Sequence, residues 1–140
     1  MRNLLLASLA FALSAHAEVT VTNAWARGMV PGQKSTAAYL TLKSTEDAKV
    51  VSVASPAARR AQLHTSMIMS GVAHMDALEA LALPAGKSVE LKPGADHVML
   101  IDMPRPLHPG DNLPLVLTIV DAKGKRSTVE VKAVVRPIAE

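Results

Sequence analysis

The sequence predicts an all-β sandwich formed by one domain. From position 18 onward, short apolar or alternating runs are separated by turn residues roughly every eight to twelve positions, a spacing typical of sandwiches built from short strands. The chain contains no cysteine, so an aliphatic core rather than disulfides must hold the fold together. Residues 18–140 are enough for one such core.

The first 17 residues predict a secretory signal peptide. Arg2 precedes an apolar run over 4–13, and Ala15-His16-Ala17 resembles a cleavage site. The run is shorter than a membrane span, and it lacks the amphipathic period that an N-terminal core helix, the alternative, would need. We therefore expect residues 1–17 to be removed and residues 18–140 to form a periplasmic domain without a membrane span.

The strands follow from alternation and from the turns between them. Pro31-Gly32, Pro93-Gly94 and Gly124 mark turns, because glycine and proline supply the backbone conformations that turns require. Residues 67–71 break the alternation and predict a loop or hairpin end with Gly71 at the turn. We expect roughly eight or nine strands. The first covers residues 19–22 and is followed by 24–27, and the others cover 36–42, 49–54, 60–65, 72–78, 88–91, 97–103, 113–120 and 127–135.

Composition argues against several function classes. The net charge is +3 for the whole chain, and the basic residues are scattered apart from 59–60 and the turn at 123–126. Only Trp25 and Tyr39 supply aromatic rings after the signal peptide, too few for base stacking, so we expect no nucleic-acid binding. Without cysteine there is neither a thiol nucleophile nor a blue-copper thiolate, and no catalytic motif stands out. The sequence does not predict an enzyme.

A histidine and a methionine on one face of a predicted strand indicate a site for a soft metal. In an extended strand His97 and Met99 share one face, about 6.5 to 7 Å apart, a distance that one metal ion can bridge. A thioether is a good ligand for Cu(I) and a poor one for hard cations. Taken alone, such a pair is more typical of core packing.

The wider cluster favours the metal. Between positions 64 and 103 lie most of the methionines and histidines of the domain, namely His64, His74, His97, Met67, Met69, Met75, Met99 and Met103. Thioethers and imidazoles suit a Cu(I) site in an oxidising compartment, where thiols would be consumed. Met67 and Met69 are either auxiliary ligands or solvent-exposed loop methionines, Met103 is expected to pack in the core or at its rim, and His74 is expected at the surface.

Four of these residues carry a resemblance to a known family. Ten residues separate His64 from Met75, twenty-one separate Met75 from His97, and one separates His97 from Met99. This spacing is similar to the H-x10-M-x21-H-x-M signature of the periplasmic copper chaperones of the PCu(A)C family. The likeness extends over the whole mature chain, through residues 24–27, 37–40, 55–58, 83–86, 91–94 and 106–111.

The resemblance implies a cupredoxin-like Greek-key β-sandwich that binds one Cu(I) through His64, Met75, His97 and Met99. It also implies delivery of copper to the binuclear copper centre of cytochrome c oxidase subunit II. A thiol-disulfide assembly factor that first reduces the oxidase thiols is a second partner that the sequence leaves open. We expect a monomer.

Two rival interpretations remain open at this point. A copper storage or resistance protein would use the same ligands, and only the family resemblance separates it from a delivery chaperone. An exported Ig-like structural module would carry the Met/His cluster without any metal.

Overall fold

Ten β-strands and no helix make up the part of the chain described by the computed structural model, residues 17–138. The predicted signal peptide lies outside the described residues except for Ala17. Within the described range no helix is long and apolar enough to cross a membrane. The strands are β1 Val19–Arg27, β2 Thr36–Ser44, β3 Ala48–Ala54, β4 Arg60–Met69, β5 Val72–Ala77, β6 Leu81–Leu83, β7 Ser88–Glu90, β8 His97–Ile101, β9 Asn112–Asp121 and β10 Arg126–Arg136.

The strands pair in the order β5-β4-β8-β2-β1-β10-β9-β3-β6, and β7 pairs with β2 beside β8. β1 and β10 run parallel, while the other pairs are antiparallel. The sheet curls until β3 lies against β4, so that one face of the strands encloses the aliphatic core. The predicted all-β sandwich is confirmed. It has ten strands instead of eight or nine because residues 81–83 pair with β3.

A β-bulge in β1 determines which side chains face outward at the C-terminal end of this strand. The register with β2 shifts between Thr22 and Trp25, and Asn23 has a positive φ of 52°. An extra residue in one strand reverses the alternation that follows it. As a result Ala26 points into the core, while Trp25 lies on the outer face opposite Tyr39.

The hairpin of β4 and β5 is longer than the sequence predicts. Residues 67–69 belong to β4 and pair with β5, so the expected loop is only the two-residue turn Ser70-Gly71. Both turn residues have positive φ, 52° and 78°, as two-residue hairpin turns of the favoured type require. Of the two alternatives predicted for 67–71, the hairpin end is confirmed and the loop is wrong, because the hairpin extends past the core, where neither face needs to be apolar. Gly71 does lie at the turn.

β8 is shorter than predicted and ends at Ile101. Asp102 has a φ of 54°, which turns the chain out of the strand, and the Met103 amide donates a hydrogen bond of 2.8 Å to the Lys34 carbonyl. Met103 is therefore turned away from the face of Met99 and packs in the core, one of the two positions expected for it.

Candidate metal centre

The pairing of β4 with β8 places two histidines face to face. His64 is directly opposite His97 in the antiparallel register. Their ring centroids are 5.8 Å apart, with an angle of 49° between the ring planes. Directly opposite residues project from the same face of a sheet. The two imidazoles therefore lie together on the outer face, away from the core.

Register brings both predicted methionines to this face. Met99 is two residues beyond His97 in β8, so it projects from the same side. Met75 in β5 lies opposite Ser66, which is two residues beyond His64 in β4. The structure thus gathers His64, Met75, His97 and Met99 on one face of three neighbouring strands.

The hydrogen bonds of the two imidazoles leave one nitrogen free on each ring. His97 Nδ1 donates to the Ala95 carbonyl at 3.0 Å, so its Nε2 is left as the acceptor. His64 Nε2 donates to Gln62 Oε1 at 3.0 Å, and its Nδ1 is buried without a hydrogen-bond partner. A ring nitrogen that is free while the other is held by an oxygen is the usual arrangement of a metal-binding histidine.

The four side chains differ in their contact with water. His97 is only 4% exposed, whereas Met75 on the edge strand β5 is 60% exposed. A cavity of about 410 Å³ opens between the hairpin and the outer face, lined among others by Tyr39, Met75, His97 and Met99. The candidate site is therefore shielded from water on the side of β8 and exposed to water on the side of β5.

Burial also acts on the titration of His64. Desolvation lowers the pKa of this imidazole, and the neighbouring His97 lowers it further, against a smaller opposing effect of Asp76. A lowered pKa keeps the ring neutral near pH 7, and a neutral ring is the form that binds a metal.

A row of rings and cations continues from the histidines across the outer face. Tyr39 lies 6.5 Å from His97 and Trp25 lies 4.6 Å from Tyr39, measured between ring centroids. Arg136 stacks over Trp25 at 4.5 Å and Arg27 over Tyr39 at 5.6 Å. The sequence predicted no role for Tyr39, because only the bulge in β1 brings Trp25 over it.

Gln62 was also missed, although its position carried a signal. It lies two residues before His64, so the strand period places both on one face, and it is opposite Met99 in the register.

The remaining histidines and methionines of the cluster lie elsewhere. By register, Met67, Met69 and His74 belong to the other face of the hairpin, although Met67 also borders the cavity beside Met75. Outside the cluster, His108 lies in the loop before β9. In residues 17–138 no group of three or more histidine, cysteine, aspartate or glutamate side chains could hold a metal ion. Any metal at the outer face would therefore need thioether sulfur beside the two imidazoles.

Two sequence comparisons match nearly the whole domain. The family described as "Putative lipoprotein LpqE-like" matches residues 19–135. "Putative lipoprotein Lxx21020" from Leifsonia xyli subsp. xyli is 33% identical over 117 residues, which cover 81% of this chain and 69% of that protein.

Solved structures share the fold. "CuI-DR1885" from Deinococcus radiodurans is 34% identical with a TM-score of 0.64, covering 89% of this chain and 83% of the other. The "copper-bound PCuAC domain from PmoF2" is 20% identical with a TM-score of 0.67, covering 88% of this chain and 99% of the other. At the lower identity the likeness concerns the fold alone.

Tyr39 should titrate above the usual range of tyrosine. Burial raises the pKa of its phenol, and the charge of Arg27 offsets part of this rise. Because the folded chain then holds the proton more tightly than the unfolded chain, this contribution to stability is complete below about pH 10 and is lost as pH rises through the folded pKa. Tyrosinate absorbance reports Tyr39 alone, since the chain has one tyrosine.

Arg27→Gln is the matched variant for this titration. Removing the cation should raise the pKa of Tyr39 further. Ionisation of Tyr39 at or below its usual pKa in the folded chain would contradict the expected result.

Proposed function

The chain belongs to the LpqE-like, or PCuAC, family, and from this premise we propose that it binds one Cu(I) ion through His64, Met75, His97 and Met99 and passes it to a copper acceptor. The observation that carries the proposal is the meeting of these four side chains on the outer face of β5, β4 and β8. The role is binding and transfer of a metal ion rather than catalysis.

The spacing of the two imidazoles fits a shared ion. Metal–nitrogen bonds are about 2.0 Å long, so two rings that bind one ion have centroids roughly 6 Å apart. The observed 5.8 Å is close to this value. The free atoms, His64 Nδ1 and His97 Nε2, would be the ligands, while Gln62 and the Ala95 carbonyl hold the other nitrogens.

The donor set favours Cu(I) over harder or divalent ions. Two thioethers and two neutral imidazoles are soft or intermediate ligands, and none of the four carries a negative charge. The name "CuI-DR1885" states that a relative of 34% identity is known with Cu(I). Its likeness over most of both chains supports the same metal here.

The exposure of the site supports transfer rather than storage. Met75 lies at the open edge, where an incoming ligand could take its place while His97 still holds the ion from the buried side. No thiolate has to be protonated or displaced on release. We propose the binuclear copper centre of cytochrome c oxidase subunit II as the acceptor, on the strength of the signature spacing.

We also propose that the protein acts in the periplasm. The signal peptide predicted at residues 1–17 supports export, and the lipoprotein description of the family is consistent with a place in the cell envelope.

X-ray absorption at the copper edge tests the ligand set. With one equivalent of Cu(I), we expect a mixed shell of nitrogen and sulfur that loses sulfur in Met75→Leu and in Met99→Leu, because leucine keeps the volume but has no donor atom. Met103→Leu is the matched control, since Met103 is buried in the core. A shell that neither substitution changes would reject the four ligands, and absence of binding would favour a structural module.

Transfer separates delivery from storage. Cu(I)-loaded protein mixed with the soluble domain of subunit II should lose its copper when the acceptor thiols are reduced, because thiolates bind Cu(I) more strongly than thioethers do. Acceptor with its thiols oxidised to a disulfide is the control and should take none. Copper retained by the chain in the presence of reduced, folded acceptor would argue for storage. NMR spectra recorded with one of the two proteins isotopically labelled at a time show which protein holds the copper.

Gln62 should set which nitrogen of His64 binds copper. Gln62→Leu removes the acceptor of the Nε2 proton, and we expect a loss of Cu(I) affinity of roughly 10- to 100-fold. Gln62→Glu keeps an acceptor and should retain the affinity. Nitrogen-15 spectra of the imidazoles should show Nδ1 as the ligand in wild type and a mixture in Gln62→Leu.

Gln33→Leu serves as the control for Gln62. Gln33 lines the cavity beside Met75, His97 and Met99, but its side chain bonds only to backbone atoms. Equal losses of copper affinity in Gln33→Leu and Gln62→Leu would contradict a specific role of Gln62.

A further inference from the structure

The β4–β5 hairpin carries copper-type ligands on both of its faces. Ser66 and Met75 are opposite each other on the outer face, the face of the proposed site. One position along, Met67 is directly opposite His74. Since neighbouring residues of a strand alternate faces, Met67 and His74 belong to the other face, and Met69 joins them. Met67 also borders the cavity beside Met75.

The three side chains lie within reach of one ion. Directly opposite residues have Cβ atoms about 4.5–5.5 Å apart, and Met67 and Met69 are about 6.5–7 Å apart along β4. Methionine has three rotatable bonds beyond the backbone, so its sulfur can move by several ångströms to meet a neighbour. The imidazole of His74 and two thioethers can therefore converge on a single soft cation.

Packing does not account for these methionines. Met29 and Met103 are buried in the core, but Met67 is 49% and Met69 56% exposed. Of the eight large apolar side chains that are exposed in residues 17–138, five lie between positions 67 and 75. Exposed apolar groups concentrated in one place are typical of a binding surface.

Charge and position favour a cation there. Asp76 is two residues beyond His74 in β5 and shares its face, so a carboxylate lies beside the three donors. β5 is the edge strand of the sheet and is exposed along its whole length. His74 and Met75 are consecutive, which places the two faces on either side of one exposed strand.

We propose that Met67, Met69 and His74 form a second Cu(I) site, on the face of the hairpin opposite to Met75. The proposal rests on the proposed function for the identity of the metal. Three ligands leave one position for a donor of the delivering or receiving molecule, and His74 next to Met75 gives copper a short path around the edge of β5. The ion remains Cu(I) throughout, so no electron is transferred.

Anaerobic titration with Cu(I) tests the second site. The metal is diamagnetic, so methionine methyl and histidine ring signals can be followed by NMR. We expect about two equivalents per chain, the first shifting Met75, Met99, His64 and His97 and the second, weaker one shifting Met67, Met69 and His74.

Variants separate the two sites. Met67→Leu/Met69→Leu/His74→Gln should lose the second equivalent only, and Met75→Leu/Met99→Leu should weaken the first only. His108→Gln is the control, because His108 lies in an exposed loop outside β4, β5 and β8, and it should keep both equivalents.

Each outcome decides between the two proposals. Saturation of wild type at one equivalent that shifts only the four residues of the outer face would reject the second site and leave the first. A second equivalent unchanged in the triple variant would reject it as well. Copper that shifts Met67, Met69 and His74 but never His64 and His97 would support the second site and overturn the proposed function.

Discussion

The antiparallel register between β4 and β8 is the constraint on which the site depends. It sets His64 opposite His97, and the positions of Met99 and Met75 follow from that pair by the two-residue period of the strands. A slip of one residue would send one histidine into the core and the other outward. Leu63 and Val98, opposite each other on the inner face, make that slip costly because both are buried.

The site combines a fixed part with an open part. His97 lies in a strand that is paired on both sides, and its ring is held by the Ala95 carbonyl. Met75 lies on the edge strand of a hairpin that extends beyond the core. A binding site that must also release its ion benefits from this division, because the fixed imidazole sets the geometry while the exposed thioether can exchange. Under the proposed function, copper would enter and leave from the side of β5.

Strand period and spacing were enough to predict the all-β fold and the shared face of His97 and Met99. They could not predict which side chains of strands distant in sequence lie together on one face, because the register between such strands depends on tertiary pairing. The bulge at Asn23 is an example: the simple alternation of β1 would place Trp25 inside, whereas the extra residue turns it outward. The length of the hairpin was missed for a related reason. Residues beyond the core have no buried face, so Met67 and Met69 carry no alternation to detect.

The bulge also explains why His97 is so well shielded although it lies on the outer face. Trp25 covers Tyr39, Tyr39 lies beside His97, and Arg136 in turn covers Trp25. Tyr39 is itself buried in this row, and its burial raises the pKa of the phenol against a smaller opposing effect of Arg27. Under the proposed function, an imidazole shielded from water on one side would bind the metal from the other side, where His64 and Met99 lie. The irregularity at Asn23 lies in β1, two strands away from β8 in the sheet, and it thus helps to determine the direction from which the site is reached.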